Sequence, residues 1–269
     1  MSDDILLEAL DARWRRLRDE WERTRKKNSE DAVHDLRVAS RRLLAVLDTL
    51  DSLVDDSGIE DNRRRVKKLL QALSPLRDVQ VQAAYVSRMV PIYPQLADFK
   101  ANLDKKEQCA AKKLRKLLKE PLGLGHAIAR SKRHTKGQPL ETPAIVGIVD
   151  KRYREVLELA EHVDRSNITT IHEVRLSFKR FRYTAELVQP LIRKTLTASR
   201  LKQFHSFQTM MGDIQDMEVL SSRLVKWAGK DEQRAAGLEP VLEELAQHKE
   251  KRIDTFMDSL HTVRSFWKL

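Results

Sequence analysis

The sequence predicts an all-α fold of two tandem four-helix bundles related by an internal pseudo-two-fold repeat. Three observations carry that expectation. Apolar residues recur every three or four positions along most of the chain, the spacing that lines one face of a helix. No stretch shows the strict apolar-polar alternation of a half-buried strand. The third observation is a duplication. Val33 to Leu50, VHDLRVASRRLLAVLDTL, returns at Ile171 to Val188 as IHEVRLSFKRFRYTAELV, at a gapless offset of 138 residues. The same offset carries Leu73, Leu76 and Asp78 onto Met211, Ile214 and Asp216, so the repeat extends well beyond one helix.

Taken in order, Ile5, Leu6, Ala9, Leu10, Trp14, Leu17 and Trp21 form the stripe of a first helix running to about Lys26, with Arg13, Arg16 and Arg23 off it. Asn28 to Asp31 supplies a cap and first-turn acids for the second helix, the duplicated stretch itself, which ends near Asp55 to Gly58. A third helix starts near Ile59 and carries Val66, Leu69, Leu70, Leu73 and Leu76. Ser74-Pro75 lies inside it, and Gly212-Asp213 occupies the equivalent place in the repeat. Both pairs weaken a helix, so a kink or local irregularity is expected in each. Pro91 and Pro94 close the third helix, and Leu96 to Lys119 makes a lysine-rich fourth.

Pro121 to Thr142 breaks the pattern with glycines, prolines and the basic cluster Arg130, Lys132, Arg133, His134 and Lys136, and reads as a linker. Beyond it Pro143 to Arg165 matches the first helix and the second copy of the central stretch follows. Thr197 to about Gly229 matches the third helix, and Glu232 to Phe266 forms the eighth. The expected division is residues 1–120, a linker at 121–142, and residues 143–269.

The chain carries 51 Lys and Arg against 40 Asp and Glu, a net charge of +11, which attracts polyanions. Cys109 is the only cysteine, which excludes an internal disulfide and a cysteine-rich zinc site. The acidic, amphipathic start MSDDILLEALDARW lacks the basic flank and long apolar core of a secretion signal, and no run approaches the length of a membrane span. The expectation is a soluble cytoplasmic protein without a cofactor.

The chemistry sits on the duplicated face. Leu36, Leu43, Leu47 and Leu50 share one side of a helix, while His34, Arg37 and Arg41 occupy the other. The second copy aligns His172, Arg175, Lys179 and Arg182 in the same way, so each strip extends over about 10 to 15 Å. Like charges one turn apart destabilise a helix by a few tenths of a kcal/mol, and stability therefore does not account for the placement. An anion lying along the strip would reverse that term through charge-assisted, bidentate contacts. Basic character recurs at Arg13 and Lys151, Arg16 and Arg154, Arg42 and Arg180, Arg64 and Lys202, and Lys67 and His205. These residues, with the two strips, are the candidate binding set. No metal site is expected.

The doubled HxxRxxx[RK]R pattern, followed by LSPLRD around Asp78, resembles the CHAD family, the conserved-histidine α-helical domain. The likeness covers nearly the whole chain. It implies a binding module for inorganic polyphosphate, with a basic surface or central cavity formed where the two halves meet, and an association with polyphosphate granules. Gln215 stands where the first copy has Arg77, so the second copy departs from the pattern there. The ExExK strand motif of the triphosphate tunnel metalloenzymes often fused to such domains is absent from the sequence.

Three other readings compete. Non-specific nucleic-acid binding would use the same cations, as a secondary partner, but the strips have little aromatic interleaving, with Tyr183 the nearest candidate for base stacking. A metal-dependent phosphohydrolase would use His34-Asp35 and His172-Glu173, against a surplus of neighbouring cations that repels metal. A structural scaffold would have its basic strips neutralised by acids on adjacent helices.

Overall fold

The computed structural model describes residues 2–137, 140–192 and 196–268. Nine α-helices are present among them: α1 (Ser2–Lys26), α2 (Glu30–Asp51), α3 (Ser57–Met89), α4 (Ala97–Leu117), α5 (Gly125–Thr135), α6 (Thr142–Glu161), α7 (Ile168–Val188), α8 (Ala198–Ala228) and α9 (Glu232–Ser259). Three short 3-10 turns, Pro94–Leu96, Gln189–Leu191 and Leu260–Ser265, complete the ordered elements, and no strand occurs among the described residues. Among them, too, no helix is long and apolar enough to cross a membrane.

The cap expected at Asn28 to Asp31 forms, and a second one is present at Asp231. Ser29 caps α2, its hydroxyl accepting from the Ala32 amide, with Glu30 and Asp31 in the first turn, and the Asp231 carboxylate accepts from the Arg234 amide at the start of α9. One expectation changes. The stretch read as a linker contains α5, because Ile128, Ser131 and Thr135 recur at helical spacing and are buried. Asn62 of α3 donates to Ser131 Oγ and Lys132 pairs with Asp11, while Gly123, at φ +65°, makes the turn that leads into the helix. The helix-weakening pairs lie inside continuous helices. Both α3 and α8 run unbroken through Ser74-Pro75 and Gly212-Asp213.

The chain forms two compact units. The first is Met1–Arg77, Cys109–Tyr153 and Arg180–Thr197, and the second is Asp78–Gln108, Arg154–Lys179 and Ala198–Leu269. The division falls inside α3, α4, α6 and α7, so sequence repeat and compact unit partition the chain differently. In the first unit the buried apolar side chains include Leu6, Leu10 and Leu17 of α1, Leu36, Leu43 and Leu47 of α2, and Val66, Leu73 and Leu76 of α3. Tyr153 packs on Phe181 with ring centroids 5.1 Å apart. The second unit has a core of Val86, Leu96, Phe99, Leu103, Leu220 and Val241, and an aromatic group in which Phe178 lies 5.0 Å from Phe207 and Phe204 lies 5.3 Å from Phe266. Burial of such side chains stabilises by about 1.5 to 3 kcal/mol each, which is why the apolar stripe rather than the charged one fixes helix orientation.

Candidate functional site

In the first unit the leucine stripe of α2 is fully buried, which leaves His34 exposed and Arg37, Arg41 and Arg42 half-buried on the other side of the helix. Helix α3 holds that side in place. Arg37 Nη1 donates to Ser74 Oγ at 2.8 Å and reaches the Leu70 carbonyl at 3.5 Å, and Ser74 Oγ itself donates to the Leu70 carbonyl at 2.8 Å. One turn on, Arg77 donates to Glu30 Oε1 at 2.7 Å, tying α3 to the first turn of α2. Arg77 was not placed in the binding set from the sequence. The signal was its position in LSPLRD, but only folding brings it beside His34.

The electrostatics of this face are those of crowded like charges. Partial desolvation by the surrounding side chains, then Arg77, push the His34 pKa below its usual value; Asp35 opposes them, and Arg41 and Arg37 add to the lowering. Asp35 is itself engaged by Arg23 Nη1 at 2.5 Å. Arg13 of α1 is lowered by burial and by the neighbouring Arg42, with Glu186 of α7 partly restoring it. Arg42 and Arg182 approach the Glu186 carboxylate from two directions, each at 3.5 Å.

The other first-unit candidates divide by what holds them. Arg16 lies 2.6 Å from Glu20, whose carboxylate is buried and also paired to Arg23 at 3.1 Å. Removing a partner from a buried carboxylate is costly, so Arg16 is a structural cation. Arg64 pairs with Glu60 and Asp61 on the exposed surface of α3, where such pairs contribute about 0 to 1 kcal/mol and rearrange readily. Arg182 is only 8% exposed and its guanidinium lies 4.7 Å from the Tyr183 ring centroid, so Tyr183 is buried beneath a cation rather than open to a base. Among the described residues, Arg41, Lys67, Lys151 and Arg180 have no side-chain hydrogen bond or ion pair, and the last three are exposed.

A protein-family model described as CHAD domain matches residues 8–225. The chain belongs to the CHAD domain family. Its fold is shared by the CHAD domain from the plant Ricinus communis, at 18% identity and a TM-score of 0.74, with 96% of this chain and 91% of that one covered. It is shared also by PptA from Streptomyces chartreusis, at 17% identity and a TM-score of 0.67, with 98% and 99% covered. A comparison with curated proteins gives no match.

The second copy of the CHAD motif is distributed differently. Arg154, His172, Arg175, Lys179, Lys202 and His205 fall in the second unit, whereas Lys151, Arg180 and Arg182 fall in the first. His172, Arg175 and Lys179 are half-buried on α7, and His172 Nδ1 is buried without a hydrogen-bond partner among the described residues. The repeat sets Gly212 of α8 at the place of Ser74. A Cβ at Gly212 would lie 4.0 Å from Arg175 Nε, so this CHAD domain keeps the arginine in both copies and the hydroxyl in only one. Lys202 and His205 are exposed on α8, where they line a cleft between α8, α9 and the turn Leu260–Ser265. Among the described residues no group of three or more His, Cys, Asp or Glu converges as a metal site would require.

Proposed function

We propose that this CHAD domain binds inorganic polyphosphate without chemical turnover, through the basic face of α2 as held by α3. The reading rests on one observation above the others: Arg37, Arg41 and Arg77 crowd around His34, two of them pinned by hydrogen bonds, so the cations stand pre-arranged at a cost that a bound anion relieves. Family membership supports the same ligand class, since the CHAD family is associated with polyphosphate. Arg41 and Lys67 supply direct contacts, Arg64 joins them by leaving its weak surface pairs, and Arg37 and Arg77 set the geometry. The α7 strip of His172, Arg175 and Lys179 repeats the chemistry in the second unit. The reading gives no role to a metal or a cofactor.

The burial of Tyr183 beneath Arg182 weighs against nucleic acid as the preferred partner, because base stacking then contributes nothing and only phosphate contacts remain. The test is a titration of the full chain with phosphate oligomers of graded length, followed by competition between long-chain polyphosphate and duplex DNA at fixed ionic strength. Affinity should rise with chain length, and DNA should compete poorly. Equal or better displacement by DNA would overturn the proposal, as would phosphate release from the oligomer during incubation with the protein alone.

A further inference from the structure

On the second unit, a cleft of about 890 Å³ opens between α8, α9 and the 3-10 turn Leu260–Ser265. Its two walls differ in hydrogen-bond character. The α8 wall is mainly a donor wall: Lys202 and His205 are exposed into it, Arg252 joins from α9, and the hydroxyls of Ser199, Ser206 and Thr209 have no hydrogen-bond partner among the described residues. Its carboxylate, Asp213, is an acceptor and sits beside Arg252. Across the cleft the hydroxyl protons are already used. Ser259 Oγ donates to the Phe256 carbonyl, Thr262 Oγ1 to the Ser259 carbonyl and Ser265 Oγ to the Thr262 carbonyl, so these three oxygens present lone pairs. Between the walls lie the apolar groups of Phe207, Met210 and Phe266.

A bare polyphosphate chain matches only half of this cleft. It has acceptors for the α8 wall, but at neutral pH its internal groups carry no donor for the opposite wall, and nothing in it covers an apolar floor. The volume is that of a site for a molecule of several rings. We propose that the α8–α9 cleft binds a nucleoside phosphate, with the phosphate on Lys202 and Arg252, the ring system over Met210, and sugar hydroxyls or an exocyclic amine donating to Ser259, Thr262 and Ser265. The site is distinct from the α2 and α7 strips. Among the described residues, none of those lining it belongs to either helix. Arg252 is aimed by Asp213 at 3.6 Å, a carboxylate that faces the cleft and keeps the guanidinium on the α8 side.

The experiment titrates the full chain with ATP, and in parallel with inorganic tripolyphosphate, which carries the same triphosphate without sugar or base. ATP should bind more tightly than tripolyphosphate at this cleft. Lys202→Ala should weaken ATP by about tenfold or more, the loss of one charged hydrogen bond. Met210→Glu should weaken ATP in the same range, while Arg41→Ala, which removes a phosphate contact of the α2 face, should lower ATP affinity less than Lys202→Ala does. An unaltered helical spectrum identifies variants that fold, and exposed Lys202 keeps the test decisive if the Met210 variant does not. Overturning results are an ATP affinity no greater than that of tripolyphosphate, or one lowered by Arg41→Ala but not by Lys202→Ala. Neither counts against long-chain polyphosphate on α2, so the two proposals fail separately.

Discussion

Arg37 Nη1 donates to Ser74 Oγ at 2.8 Å, a bond that joins the duplicated helix α2 to α3 one residue before Pro75. A proline there removes the amide that would pair with the Gln71 carbonyl, while one residue earlier the Ser74 hydroxyl and the Arg37 guanidinium both reach the Leu70 carbonyl. The turn of α3 that carries Pro75 is thus also the turn that aims Arg37.

Ser74→Ala tests that coupling. Loss of one neutral-to-charged hydrogen bond at a half-buried position should lower stability by about 1 to 2 kcal/mol, read as a fall in melting temperature. It should also weaken polyphosphate binding, because Arg37 loses the contact that orients it. A variant with lowered melting temperature and undiminished affinity would separate Arg37 from the binding face.

Gly212→Ser restores to the second copy the hydroxyl of the first. The added Cβ meets Arg175 Nε at 4.0 Å, an ordinary contact, and serine is favoured over glycine inside a helix by about 0.5 kcal/mol. The variant should melt at a higher temperature than the parent chain. Destabilisation would show that the α7–α8 contact has no room for a side chain.

His34 gives two dependences on pH. Its folded pKa lies below the unfolded value of about 6.5, so between those two values the unfolded chain binds more protons. This group's contribution to stability is therefore full above about 6.5 and declines as pH falls toward the folded pKa. Binding runs the other way. The groups facing the imidazole are Arg37, Arg41, Arg77 and Asp35, and an added phosphate raises the pKa against the three arginines. Proton uptake should then tighten polyphosphate binding from pH 8 to pH 6, and His34→Gln should flatten the slope. Parallel slopes for parent and variant at constant ionic strength would remove His34 from the phosphate contacts.

Arg41→Ala combined with Lys67→Ala should leave the melting temperature within about 2 °C, since neither side chain has a hydrogen bond or ion pair among the described residues and each change of this kind lies within about 0.5 kcal/mol. The logarithm of affinity should fall less steeply with the logarithm of salt concentration, because fewer phosphates are neutralised. An unchanged salt slope would place the phosphates elsewhere.

The all-helical class, the ends of most helices and the family were legible in the sequence. Buried leucines at every third and fourth position, a cap within Asn28 to Asp31, and a gapless 138-residue repeat are local or periodic signals that survive without coordinates. The same periodicity was present in α5 as Ile128, Ser131 and Thr135, but it was hidden by flanking glycines and prolines and by polar residues whose burial depends on Asn62 and Asp11. The cationic strips were equally visible, as residue types on one helical face.

What each cation does was decided only by tertiary structure, because a charge takes its role from neighbours distant in sequence. Arg16 and Arg64 look alike along the chain. One serves a buried glutamate, whereas the other lies among exposed acids that can release it. Arg77 and Ser74 reach the α2 face across more than thirty residues of chain, and Arg182 closes over Tyr183 instead of facing solvent. Periodicity reports which side of a helix is polar; burial and charge pairing, which depend on what packs against that side, determine which of its charges remain for a ligand.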